Sequence, residues 1–123
     1  MRILTLLLSG FILALPGTGR ADAVADAMRV ALQQVREDDW RAADSAALPA
    51  GAVGRDIVEW YRLRDGAAAF EDYLDFLERH PDWPDRARLE AAAENNIPPE
   101  AEPERVIAFF CDRLPQTGTG VLR

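Results

Sequence analysis

Between Trp60 and Ile97 the chain repeats one device: apolar residues three or four apart, then a residue that cannot continue a helix. Trp60 and Tyr61 run into Arg64-Asp65-Gly66. Phe70, Tyr73, Leu74 and Leu77, with Phe76 widening the stripe, run into His80-Pro81. Leu89, Ala92, Ala93 and Ile97 run into Pro98-Pro99. Spacing of this kind gives a helix one apolar stripe, whereas a half-buried strand alternates with period two. Gly66 supplies the left-handed residue that stops the first run, and Pro81 forces a turn after the second. The segment predicts short helices packed against their neighbours in sequence.

The same reading extends to both sides. Val24, Ala27, Met28, Ala31, Leu32 and Val35 mark one face of a first helix, separated by Glu37-Asp38-Asp39 from a second carrying Trp40, Ala43, Ala46 and Ala47. Asp38 or Asp39 can cap that second helix, and Leu48-Pro49-Ala50-Gly51 ends it. A third helix, about Val53 to Arg64, places Val53, Ile57, Trp60 and Tyr61 on one face and Arg55, Glu59 and Arg62 on its wetter side. A fourth spans about Ala68 to Arg79. Asp82 is placed to cap a fifth helix, with Asp85 adding negative charge to its first turn. A sixth, about Pro103 to Arg113, buries Val106, Phe109 and Phe110. Thr117-Gly118-Thr119-Gly120 then starts another, whose Val121 and Leu122 begin an apolar face.

No stretch of useful length alternates with period two, so the fold class is all-α. Short loops make consecutive helices antiparallel neighbours, and the strict tetratricopeptide signature is absent. The expected architecture is an irregular α-solenoid of antiparallel helical hairpins, with residues 24–123 forming its N-terminal part. In such an array each hairpin covers the next, so Val121 and Leu122 are expected to lie uncovered.

Residues 1–23 read as a signal peptide. Met1-Arg2 is followed by the apolar run Ile3 to Leu15, then Pro16-Gly17, and Ala21-Asp22-Ala23 offers small residues at a cleavage site. The run is shorter than the roughly 20 residues that span a bilayer, so no membrane anchor is expected after cleavage. The chain carries a net charge of −7, and all 14 of its Lys-plus-Arg residues are arginine. A nucleic-acid partner would require a basic stripe, and an acidic chain offers none. Cys111 is the only cysteine, which excludes an internal disulfide; its place after Val106, Ile107, Phe109 and Phe110 predicts a buried small hydrophobe.

No catalytic, cofactor-binding or metal-binding residue is assigned. Glycoside cleavage needs a carboxyl group raised in pKa by apolar surroundings, set across a groove from a second group. Glu59 beside Trp60, and Glu71 and Asp72 between Phe70 and Tyr73, fall beside or opposite the buried stripes, where solvated charge is the ordinary outcome. His80 is the sole histidine, suited to a helix end, and lacks companions for a metal site. Ser45 has no nucleophile-elbow motif around it, and the Thr117–Gly120 run lacks the Gly-Lys-Ser/Thr end of a phosphate loop. Trp40, Trp60 and Trp83 could stack sugar rings, but helical spacing for Trp60 and the Asp82-Trp83-Pro84 turn favour packing roles.

From about Asp39 to Arg123 the chain resembles the superhelical, U-shaped N-terminal region of soluble lytic murein transglycosylases. The parts that carry the resemblance are Trp60 to Gly66, Phe70 to Pro84, and Val106 to Gly120 with Phe109-Phe110 and Pro115-Gln116-Thr117-Gly118. Asp85 stands where that pattern more often has Gly, and Leu114 where it has a second Pro. The resemblance implies export to the periplasm and action on peptidoglycan glycan strands, cut without water to leave a 1,6-anhydro product. The family's catalytic Glu lies in a Glu-Ser motif of a lysozyme-like C-terminal domain. No Glu here is followed by Ser, so no catalytic residue carries over and peptidoglycan would be met through a domain this chain does not contain. The expectation is therefore a scaffold segment inactive alone; the alternatives are a freestanding helical-repeat adaptor holding a protein on its open face, and a small carbohydrate-binding module.

Overall fold

The computed structural model describes residues 18–122, and every regular element among them is helical. The signal-peptide reading falls largely on residues 1–17, outside the described residues; residues 18–23 form the first turns of α1 (Thr18–Arg36). That helix stops where Asp38 takes a left-handed conformation with φ of 58°. The amide of Asp39 then reaches the carbonyl of Gln34 at 3.0 Å and that of Asp38 reaches Val35 at 3.2 Å, the paired bonds of a Schellman stop. Of the two candidate caps for α2 (Trp40–Ala47), Asp39 is the one used: its carboxylate accepts from the Ala42 amide at 3.0 Å. A single 3-10 turn, Leu48–Ala50, leads straight into α3 (Gly51–Arg64). Gly66, at φ of 76°, ends α3 with a second Schellman pair, Ala67 to Arg62 and Gly66 to Leu63, both 3.1 Å.

α4 (Phe70–Arg79) buries Phe70, Tyr73, Phe76 and Leu77; α5 (Arg86–Asn95) buries Leu89, Ala93 and Glu94; α6 (Pro103–Phe110) buries Val106 and Phe109. The last element, α7 (Gly118–Leu122), is a single turn. These side chains form two cores in series. Ala31 and Val35 of α1, Ala43 and Ala47 of α2 and Val58 of α3 make the first, where small side chains let the helices approach closely. Leu63 of α3 joins the buried residues of α4, α5 and α6, with Ile97, in a larger and more aromatic second core. α3 thus serves both, and helices near in sequence pack together, α1 on α2 and α3, α5 on α3 and α4, and α7 on α5.

Four local expectations are corrected. The buried positions of α3 are Gly54, Val58 and Leu63, while Val53 is 65% exposed and Ile57, Trp60 and Tyr61 are only partly covered. α3 has partners on two sides, so its apolar residues do not map onto one stripe. The fifth helix starts later than expected: Asp82 does not cap it, and Asp85 occupies its N-cap. Asp85 has φ of 60°, a left-handed conformation that favours Gly, and its carboxylate pairs with Arg64 Nε at 3.2 Å instead of capping. The sixth helix ends at Phe110, which leaves Cys111 exposed and not buried. Phe110 itself is only partly covered.

Candidate functional site

The tryptophans divide into two chemistries. Trp83 stands edge-on to Phe76, ring centroids 5.5 Å apart, and to His80 at 4.7 Å, which clamps the Pro81–Pro84 turn onto α4. The Trp60 indole donates to the Pro84 carbonyl at 3.2 Å, and the Arg64 guanidinium lies 4.5 Å over its ring. Together with Met28, Leu32, Ile57 and Tyr61 these two indoles line a groove whose walls are almost wholly apolar. A sugar ring needs polar partners for its hydroxyls, and this groove supplies nearly none.

Trp40 is different. It lies partly buried on the first core and faces a cleft of about 600 Å³ formed by α2, α3 and the end of α4. α2 contributes Trp40, Arg41 and Asp44; α3 contributes Arg55, Asp56, Glu59 and Arg62; α4 contributes Arg79. Helical spacing places them together: Asp44 lies one turn from both Trp40 and Arg41 on α2, and Arg55, Glu59 and Arg62 follow one another by a turn on α3.

Two of the four guanidinium groups are occupied. Arg79 bonds Glu59 at 2.8 Å and Asp56 at 3.3 Å, and the hydrogen bond to Glu59, the largest cause, raises its pKa above the ordinary arginine value; desolvation opposes this, and the charges of Glu59 and Asp56 add to the rise. Arg62 reaches Asp72 at 3.4 Å. Arg41 and Arg55 make no ion pair among the described residues, and both are exposed. The cleft therefore combines one aromatic face, two free cations and a rim of acceptors.

The carboxylates considered for chemistry are held in structural roles. Glu59 is taken by Arg79, Glu71 is exposed and paired with Arg105, and Asp72 accepts from the Ala69 amide at 3.1 Å at the start of α4. His80 closes α4 with its Nε2 3.5 Å from Asp56 and 3.1 Å from Arg79. The Ser45 hydroxyl donates back to the Arg41 carbonyl of its own helix at 2.9 Å. Thr117 starts α7, its Oγ1 accepting from the Gly120 amide at 3.0 Å. Among the described residues no group of three or more His, Cys, Asp or Glu could hold a metal ion, and no helix is long and apolar enough to cross a membrane.

Sequence reasoning places Glu94 in the segment that closes with Leu89 and Ile97 but gives it no role, and it is the one buried charged residue among those described. Its carboxylate accepts from the amides of Gln116 at 2.9 Å and Thr117 at 2.7 Å, tying α5 to the loop before α7. It lies one turn from Ile97 and from Glu90, next to the buried face of α5, which was the available clue. The free pair Arg41 and Arg55 was also missed, because exposure and pairing are settled between helices. No family model matches this chain, and neither a curated protein nor a solved structure matches it.

Proposed function

We propose that this chain is an N-terminal scaffold segment of a periplasmic lytic transglycosylase acting on peptidoglycan glycan strands, without a catalyst of its own. The observation that carries the proposal is the role of the residues behind the resemblance. Trp60 bonds across to Pro84, Gly66 stops α3, Trp83 locks onto Phe76 and His80, and the Gln116-Thr117 amides dock on Glu94. Every one joins one element to another, and none presents a reactive group. A second feature fits a longer helical array: Ile107, Leu114, Val121 and Leu122 at the α6–α7 end are exposed, the last at 86%. An array continues by covering such a face with its next layer.

The same uncovered end favours, as the second reading, a freestanding adaptor that binds another periplasmic protein there. Sequencing the coding DNA and its transcript beyond Arg123 separates the two. A frame continuing into a lysozyme-like domain with a Glu-Ser motif is the expected result. A stop codon without such a domain nearby leaves the adaptor. Incubated with purified sacculi, the chain alone is expected to release no 1,6-anhydro muropeptides, and their release would overturn the assignment of the chemistry to a separate domain.

A further inference from the structure

We propose that the groove between α4 and α6 docks a basic amphipathic segment of another protein, its apolar side chains on Leu74 and Ala108 and its cations between Asp75, Glu78 and Glu104. Charge pairing within the groove carries this, independently of the transglycosylase reading. The groove encloses about 470 Å³. Its floor is apolar, with Leu77 and Phe109 buried beneath the half-buried Leu74 and the exposed Ala108. Its three arginines are all engaged by acids outside its lining: Arg105 crosses to Glu71, while Glu90 takes Arg86 at 2.9 Å and Arg113 at 3.2 Å. Its three carboxylates, Asp75 and Glu78 on α4 and Glu104 on α6, are exposed and form no ion pair among the described residues.

Two of those carboxylates sit unfavourably on the helix that carries them. Asp75 and Glu78 stand three residues apart on α4, where like charges repel. Glu78 also lies in the last turn of α4, where the helix dipole disfavours negative charge. A cation laid between the walls relieves both strains, so the groove complements positive charge while its floor takes apolar side chains. α4 has 10 residues and is about 15 Å long, room for two to three turns of a docked helix. An amphipathic helix meets these demands with leucine-type residues three and four apart and Lys or Arg at its flanks. A metal ion does not, since among the described residues no three His, Cys, Asp or Glu are grouped to hold one. An acidic segment would meet unpaired carboxylates of its own sign. The net charge of −7 adds a long-range attraction for a basic partner.

The probe is a fluorescein-labelled peptide of about twelve residues, with leucines on one helical face and lysines on the other. Its binding to the full chain is read by fluorescence anisotropy, beside a copy with serine for leucine and a copy with glutamate for lysine. The expected result is saturable binding of the Leu/Lys peptide, with the serine copy at least about tenfold weaker and the glutamate copy silent. Asp75→Asn with Glu78→Gln should weaken binding by about tenfold at an unchanged or higher Tm, because a like-charge pair is removed. Asp65→Asn with Asp82→Asn, at two exposed acids outside the groove, removes equal charge and should change binding by less than about twofold. Four results overturn the proposal: no binding, equal affinity for the serine copy, binding of the glutamate copy, or equal weakening by the two double variants. The last would reassign the attraction to the overall charge of the chain. If Asp75→Asn with Glu78→Gln lowers Tm, Glu104→Gln on the opposite wall decides: weaker binding upholds the docking, and unchanged binding overturns it.

Discussion

At the scale of single residues, the two most informative side chains are polar groups in the second core and beside it. Glu94 is 0% exposed, and its two oxygens receive the amides of Gln116 and Thr117 at the start of α7. A negative charge there complements both the free N–H groups and the helix dipole. Glu94→Gln keeps the shape but replaces one acceptor oxygen with an NH2 group facing N–H donors, so a loss of about 1–3 kcal/mol is expected. Thermal denaturation reads it directly, and an unchanged Tm would show that the amides find water instead. Tyr73 donates to the Leu63 carbonyl at 2.9 Å, and burial, the largest cause, raises its pKa; the Asp72 charge adds to this and Arg62 opposes it. A folded-state pKa above the unfolded value of 10.0 means the native state holds its proton after the unfolded state has lost it. Stability from this group is full below about pH 10 and falls as pH rises from there. Tyr73→Phe should flatten that alkaline slope while lowering stability at neutral pH by about 1 kcal/mol through the lost hydrogen bond. Denaturant midpoints at pH 8 and pH 11 check this, and a slope retained in the variant would place the titration elsewhere. Spacing alone made Tyr73 legible as core, since it lies three residues from Phe70 and four from Leu77. Glu94 was illegible for the opposite reason: a carboxylate reads as surface unless its distant partner, here 22 residues on, is known.

At the scale of helices, the start of α2 and the ends of α3 and α4 were legible, whereas the start of α5, the end of α6 and the face of α3 were not. Gly66 and Pro81 act where the chain chemistry requires, and Asp39 caps α2 as one of two acids able to do so. Asp39→Ala is expected to cost about 1 kcal/mol by leaving the Ala42 amide uncapped. The face of α3 was misread because apolar residues on two sides of a helix average into a broad stripe. Its true contact side runs through Gly54, where a side chain would sit 2.4 Å from Ala50 Cβ, 3.0 Å from Met28 Sδ and 3.1 Å from the Ala47 carbonyl. Helix propensity alone favours Ala over Gly by about 1 kcal/mol. Packing should win, because the carbonyl and Ala50 Cβ belong to the backbone scaffold and cannot swing away. Gly54→Ala is therefore expected to destabilise by about 1–3 kcal/mol, the usual range for an overfilled contact. Urea denaturation gives the sign, and a stabilised variant would mean that α2 and α3 slide apart freely. Cys111 was misread by one turn of helix: α6 ends at Phe110, so the apolar spacing that seemed to include the thiol stops just before it.

At the scale of the whole molecule, the arrangement of two cores on one shared helix sets how the fold opens. The first core is built mostly from alanine, with Val35 and Val58, and removes little apolar surface per residue from water. The second buries Phe70, Tyr73, Phe76, Leu63 and Leu89 almost completely, each contributing roughly 1.5–3 kcal/mol. Opening α1 and α2 uncovers Val58 but leaves Leu63, at the other end of α3, packed against α4 and α5. Opening the second core removes the packing of Leu63 and most of the aromatic contacts at once. Sub-global opening from the α1 side should therefore require less free energy than global unfolding, and the single turn α7 should open most readily of all. Native-state hydrogen exchange is expected to rank the amides accordingly: Phe76, Leu77, Leu89 and Ala93 slowest, Ala31 and Ala43 intermediate, Val121 fastest. Glu94→Gln should speed exchange at Val121 more than at Ala31, because its amide partners belong to the loop that positions α7. One common opening free energy for α1, α2, α4 and α5 would contradict this and make α3 a rigid coupler of both cores. The ranking follows from packing that the sequence already hinted at, since aromatics concentrate after Trp60 and alanines before it; that α3 would be divided between the cores was not legible, because it depends on which helices meet on its two sides.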